Sequence, residues 1–282
     1  MEQIKSFLKQ SDLDWNVRQE VLQTESGIVV DGHMAVVRED TNKVLSVMSD
    51  SYQPYQNHEL LELLYRVSKQ TGLALKKGGS FKDGARVYFQ LKSNDLTMSN
   101  NDRVEGYLTG VNSFDGSTSL AFGPSNVTIS CMNSFFAAFR SIQTKVRHTK
   151  NMIVKIDEIC TGLDRVLEQE KEIFDNIIEL SQTKVSDKNI DMVLRTLFNI
   201  KPEINYKDDE QVSTNLKNKM SRFYVDLDGE MKEKGNNLWG VFSGVTKFTT
   251  HSLSKGDNTE AKMFDIYGQR EKQIFNNLVE LV

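Results

Sequence analysis

ARVYFQLKSNDLTMSNNDRVEGYLTGVNSFDGSTSLAF, residues 85–122, decides the fold. Two runs rich in β-branched and aromatic residues, 85–92 and 103–112, are separated by Ser, Asn and Asp. A third, 117–122, follows the Asp-Gly signal FDGS at 114–117. Such runs, punctuated by turn residues, predict antiparallel strands joined by hairpins. Two more runs of the same texture lie upstream at 33–39 and 43–48. Between the two groups, NHELLELLYRVSKQ at 57–70 places apolar residues at 60, 61, 63, 64 and 67 and is followed by Gly72. This spacing predicts a helix packed on the sheet, capped by Asn57 at one end and by the glycine at the other. A further apolar helix is expected from near Met132 through Phe135, Phe136 and Phe139.

The texture changes near residue 150. Apolar residues then recur at spacings of three and four, from Ile153 through Ile159, Leu163 and Leu167 to Ile178, which predicts a long helix that Gly162 can kink. More helices are expected at about 187–198, 210–223 and 259–281, with Pro202 and KDDEQ marking a connection. The expected fold class is therefore α+β. Residues 1–150 form an antiparallel sheet domain with a basic turn and a basic C-terminal segment, and residues 151–282 form a mainly helical region packed on it.

The 282 residues carry a formal charge of −4, unevenly spread. Residues 1–156 are net +2 and residues 157–282 net −6, and from Gly116 to Ile156 there is no Asp or Glu. That stretch ends in Arg140, Lys145, Arg147, His148, Lys150 and Lys155, a local positive field of the kind that attracts polyanions. LKKGGSFKDG at 75–84 reads as a basic turn joining two strands and adds Lys76, Lys77 and Lys82, with Arg86 just beyond. The candidate nucleic-acid contacts are thus Lys76, Lys77, Lys82, Arg86, Arg140, Lys145, Arg147, His148 and Lys150. Tyr88, Phe89, Tyr107 and Phe114 are candidates for base stacking, weighed against packing in the core; alternation puts Tyr88 and Phe89 on opposite faces of their strand.

Catalytic and metal signatures are missing from the sequence. The four histidines are far apart, without HExxH or CxxC-type spacing, and neither a P-loop nor a GxSxG elbow is present. Glu168, Glu170 and Glu172 are read as a solvated helix face rather than a Mg²⁺ cluster. An enzyme is not the expected class, and no cofactor or metal is expected. Cys131 and Cys160 read as buried reduced thiols. No signal peptide or membrane span is recognised, which leads to the expectation of a cytoplasmic protein.

Three separated stretches resemble the recurrent motifs of the phage/plasmid-like proteins grouped as domain of unknown function 932. In SYQPYQNHELLELL at 51–64, Pro54, Gln56 and Asn57 match. In VTISCMNSFFAAFRSIQTKVRHTKNM at 127–152, Cys131, Asn133, Arg147, His148 and Thr149 match. In NNLWGVFSGVTKFTTHSL at 236–253, Trp239, Gly240, Val245, Thr246, Phe248 and His251 match. Ser134, Met132 and Ser243 depart from the pattern, the last where the family usually has Asn. The resemblance implies a mobile-element context and a bacterial host cell, without implying an activity.

The order helix, strands, helix within 57–140 is also similar to the β-β-β-α core of Rad52-type single-strand annealing proteins, by order of elements and not by motif. The function expected on this footing is nucleic-acid binding, single-stranded DNA in preference, by a homo-oligomer engaged in recombination or replication. The alternative is a host-defence inhibitor that acts on a host protein through its acidic helical region. Arg147, His148 and Thr149 either contact phosphates or clip parts of the fold together. Trp239 and Gly240 are read as a packing device.

Overall fold

The computed structural model describes residues 2–98, 102–125, 142, 144–152, 155–156, 163–208, 211–252 and 260–282. The helix expected through Phe135, Phe136 and Phe139, both cysteines, Arg140 and the expected kink at Gly162 lie outside these residues. The chain divides into two compact units. Unit 1 comprises residues 1–95 and 105–170, and unit 2 comprises residues 96–104 and 171–282.

Unit 1 is built on two sheets. The first contains three antiparallel strands, β1 (Val17–Gln23), β2 (Val29–Arg38) and β3 (Lys43–Ser49), in that order. The second contains five in sequence order: β4 (Ala74–Phe81), β5 (Arg86–Thr97), β6 (Arg103–Ser113), β7 (Leu120–Ser125) and the short β8 (Lys145–Val146). Two helices accompany them, α1 (Glu2–Gln10) and α2 (Asn57–Thr71). The strands expected at 33–39, 43–48, 85–92, 103–112 and 117–122 are all present with shifted ends. The FDGS turn links β6 to β7 with Gly116 at φ +67°, a left-handed conformation that glycine adopts without strain.

β4 departs from expectation. Residues 74–81 are a full strand, and the turn is confined to Lys82–Gly84. Its Lys-Lys-Gly-Gly-Ser sequence has low strand propensity, yet the missing side chains are what the site requires. A Cβ on Gly78 would stand 2.7 Å from the Phe89 ring, and one on Gly79 would stand 2.9 Å from the Tyr88 hydroxyl. The rings of β5 lie across the bare backbone of β4.

The cap of α2 also differs. Gln56 is the N-cap, its backbone N–H held at 2.6 Å by the Glu59 carboxylate, and Gly72 closes the other end at φ +76°. Asn57 is buried instead, its amide donating to the carbonyls of Leu13 and Trp15 at 3.2 and 3.1 Å. Leu60, Leu61, Leu63, Leu64 and Val67 of α2 pack with Val87, Phe89, Leu91, Leu108, Phe114 and Phe122 of the five-stranded sheet.

Unit 2 is helical, with α4 (Asp187–Phe198), α5 (Thr214–Lys234), α6 (Leu238–Lys247) and α7 (Glu260–Val279); α3 (Leu163–Gln182) contributes its part from Lys171 onward. Ser186, Ser213 and Asn237 cap α4, α5 and α6 by accepting hydrogen bonds from first-turn N–H groups. Ile177, Leu180, Val193, Leu197, Phe223, Val241, Phe248 and Ile274 make the core, joined by Met98 just after β5 and Val104 at the start of β6. A Cβ on Gly240 would lie 2.4 Å from the Gly235 carbonyl oxygen, and one on Gly244 would lie 2.8 Å from the Leu227 Cα. These two glycines, one helical turn apart, let α6 approach the α5 backbone. Gly244→Ala is therefore expected to lower stability by up to about 2 kcal/mol in urea unfolding, since overpacking costs about 1–3 kcal/mol against a gain of about 1 kcal/mol from the preference of alanine for helix.

Candidate functional site

Two of the stretches singled out in the sequence meet in unit 1. The segment that leads into α2 holds Tyr52, Gln53 and Gln56. Gln56 acts as a substitute strand residue, since its side-chain amide donates to the Val17 carbonyl and accepts from the Val17 N–H, both at 2.9 Å. Gln53 N–H donates to the His148 carbonyl at 3.3 Å, and the Tyr52 ring lies 5.0 Å from the His148 imidazole. The Tyr52 hydroxyl donates to the Ser113 carbonyl at 2.8 Å at the end of β6. Ser113 in turn exchanges hydrogen bonds with the backbone of Thr118. His148 is thus fixed against the entry to α2 and the β6–β7 turn.

The electrostatics follow from this burial. Neither ring nitrogen of His148 has a hydrogen-bond partner among the described residues, and burial lowers its pKa from 6.5 to about 4. The ring is therefore neutral at physiological pH and adds no charge to the basic segment. Burial, then the Asp115 carboxylate, pushes the Tyr52 phenol well above its ordinary value. Asn57 Oδ1, Asn112 Oδ1 and Thr118 Oγ1 are likewise buried without a partner.

Residues 44–273 match the model of one family, described as Domain of unknown function (DUF932). The chain belongs to this family. No curated protein and no solved structure matches it.

In this DUF932 chain the expected site residues fall into separate groups. Arg86 is buried, its guanidinium donating to Asp115 at 3.1 Å and to the Ser117 hydroxyl at 2.8 Å. Lys76 and Lys77 lie on β4, the latter half-buried, and Lys82 is exposed on the turn that follows. Lys145 is on β8 opposite Ala121, and Arg147 and Lys150 are exposed just beyond it. β4 and β8 are the opposite edges of the five-stranded sheet, four strand spacings or about 19 Å apart. Lys76, Lys82, Arg147 and Lys150 form no ion pair among the described residues. The stacking candidates are all buried: Phe89 and Phe114 in the core, Tyr88 stacked on Phe81 at 5.7 Å, and Tyr107 donating its hydroxyl to Glu105. Among the described residues, none of these four rings is open to a base.

Glu168 and Glu172 are exposed, as a solvated face requires, but Glu170 is buried and accepts from the Ser93 hydroxyl. Burial raises its pKa, against the opposing effect of the Asn94 amide and Lys92. No group of three or more His, Cys, Asp or Glu side chains suited to a metal ion is found among the described residues. A cleft of about 600 Å³ opens beside α1 and α2, floored by Leu8, Leu13 and Trp15 and rimmed by Glu2, Asp14 and Glu62. Lys5 and His58 also line it, and its three carboxylates outnumber the one lysine, which disfavours a polyanion there. Among the described residues, no helix is long and apolar enough to cross a membrane.

The third stretch belongs to unit 2. The Trp239 indole N–H donates to Asp102 at 2.8 Å, and the Lys234 ammonium reaches the other oxygen of the same carboxylate at 3.1 Å. Burial alone would push the Asp102 carboxyl up, yet these two donors hold it below the ordinary value. Phe248 is fully buried and Ser243 is nearly so, while His251 is exposed. The packing role expected for Trp239 and Gly240 agrees with this geometry. In the sequence Gln56 stands out only as a motif residue, and Tyr52 and Asp102 not at all, because each acts on a backbone or side chain 39 to 137 residues away.

His148 supplies a pH test. The unfolded chain takes up its proton near pH 6.5 and the folded chain near pH 4, so the stability it contributes is complete above pH 6.5 and is lost as pH falls toward 4. His148→Phe, which keeps a ring against Tyr52, is expected to flatten the fall in Tm between pH 6.5 and 5, measured by circular dichroism; an unchanged slope would show that another group titrates there.

Proposed function

We propose that this DUF932 chain binds nucleic acid, single-stranded DNA in preference, through the exposed cations that follow β8. The observation that carries the reading is the pairing state of Arg147 and Lys150. Both are exposed and without an ion pair among the described residues, at the end of a stretch from Gly116 to Ile156 that contains no carboxylate. Unquenched positive charge on an edge of a sheet suits a phosphate backbone, with arginine able to form a bidentate pair.

The succession β5, β6, β7 supports likeness to the β-β-β-α core of Rad52-type annealing proteins, and the helix of that core would fall on residues outside the described ones. With the four aromatic candidates buried, phosphate contacts carry this reading, and base stacking on those rings does not contribute. The phage or plasmid setting and a place in the bacterial cytoplasm come from the family resemblance, and a role in recombination from the likeness to the Rad52-type core.

A second reading, interaction with a host protein, draws on a different surface from the acidic helices. Val21, Ile28, Val29, Val44 and Val47 are 47–65 % exposed, and all belong to β1–β3 or the turn between β1 and β2. By the strand register Val44 and Val47 share one face of this sheet, and exposed β-branched side chains on one face suit a partner.

The two readings part in a fluorescence-anisotropy titration of labelled single-stranded oligonucleotide over a salt series. Arg147→Gln with Lys150→Gln is expected to reduce the slope of log K against log salt by about 1.4, the loss of two phosphate contacts on a single strand. Arg86→Gln is expected to lower stability by removing a buried ion pair while leaving that slope unchanged. Absence of binding at low salt favours the protein partner.

A further inference from the structure

We propose that the outer edge of β1 pairs with the same edge of a second copy of this chain, antiparallel about Val21. The direction of the edge follows from Gln56, which engages both the N–H and the C=O of Val17 from the side away from β2. Backbone groups alternate along a strand, so Gln19 and Val21 direct theirs to the same side, and Gln23 follows beyond a shift of the β1–β2 register whose extra residues lie on β2. Gln19 and Val21 have no backbone partner on that side among the described residues.

An edge of this kind is a template for a further strand, and proteins that keep theirs single protect it with lysine, proline or a covering element. β1, VRQEVLQ, has neither lysine nor proline. The neighbouring side chains are apolar and open: Val21 is 57 % exposed, Ile28 65 % and Val29 48 %. Gln56 covers the edge at Val17, and the chain turns away at Thr24 through the Thr24 N–H to Ile28 carbonyl bond. The free span is therefore 19–23.

The occupant follows from the pattern of that span. Gln-Glu-Val-Leu-Gln is close to self-complementary about its centre. Pairing two copies antiparallel about Val21 sets the two valines against each other. It sets Gln19 of each copy opposite Gln23 of the other, where each amide can both donate and accept. Glu20 falls opposite Leu22, so no like charges meet directly. The contact is isologous and closes as a two-fold dimer.

Sedimentation velocity of the full chain, without nucleic acid, tests this independently of the proposed DNA binding. The wild type is expected to show a concentration-dependent monomer–dimer equilibrium. Gln19→Lys with Gln23→Lys places like charges opposite each other in both pairs and is expected to raise the dimer Kd about tenfold. Gln19→Lys with Gln23→Glu places opposite charges there and is expected to keep or tighten the dimer. Both variants lose the bond from Gln19 to the Tyr52 carbonyl equally, so their difference reads the pairing alone. Val21→Pro removes an outward N–H that β2 does not use, as an edge strand permits, and is expected to give monomer. A wild type that stays monomeric throughout, a dimer indifferent to the sign of residue 23, or a folded proline variant that still dimerises would each overturn the proposal.

Discussion

The amide of Gln56 fixes the position of two parts of unit 1 that already share an apolar core, in which Val17 and Val36 pack with the leucines of α2. By bonding both polar groups of Val17, it fastens the three-stranded sheet to the start of α2, whose leucines pack into the core of the five-stranded sheet. The residues just before it extend the attachment, Tyr52 to Ser113 and Gln53 to His148. One short extended segment therefore touches β1, the β6–β7 turn and the chain after β8. Each of these bonds is worth about 1 kcal/mol net, but leaving any buried partner unmet costs about 1–3 kcal/mol, so the segment behaves as a unit.

Much of this architecture is legible in the sequence where local chemistry dictates it. The apolar spacing of α2, the FDGS turn and the β-branched runs of β2, β3, β5 and β6 all follow from periodicity and turn residues. β4 was hidden because its glycines serve the rings of Tyr88 and Phe89, a tertiary demand that overrides strand propensity. Gln56 displaced Asn57 as the cap because Asn57 is needed for the carbonyls of Leu13 and Trp15, more than forty residues upstream.

The charges separate along similar lines. A count of lysines and arginines cannot tell Arg86, neutralised by Asp115, from Arg147, which is open. Nor does it show that Lys76 and Lys145 occupy opposite edges of one sheet. His148 sits between two open cations and is itself half-buried, with both ring nitrogens out of solvent, because the residue that closes a fold and the residues that meet a ligand can be adjacent in the chain. What survives from the positive segment is a smaller surface with better-defined chemistry.

The bond between Trp239 and Asp102 spans 137 residues. On a ribosome adding about 5–20 residues per second, the piece of unit 2 that bears Met98, Asp102 and Val104 would wait roughly 7–27 s before the helices that complete its core have been made. During that interval its apolar side chains have no permanent neighbours, and unit 2 cannot finish folding from its own C-terminal segment alone. How the chain is threaded thus ties the completion of unit 2 to pieces that leave the ribosome far apart in time.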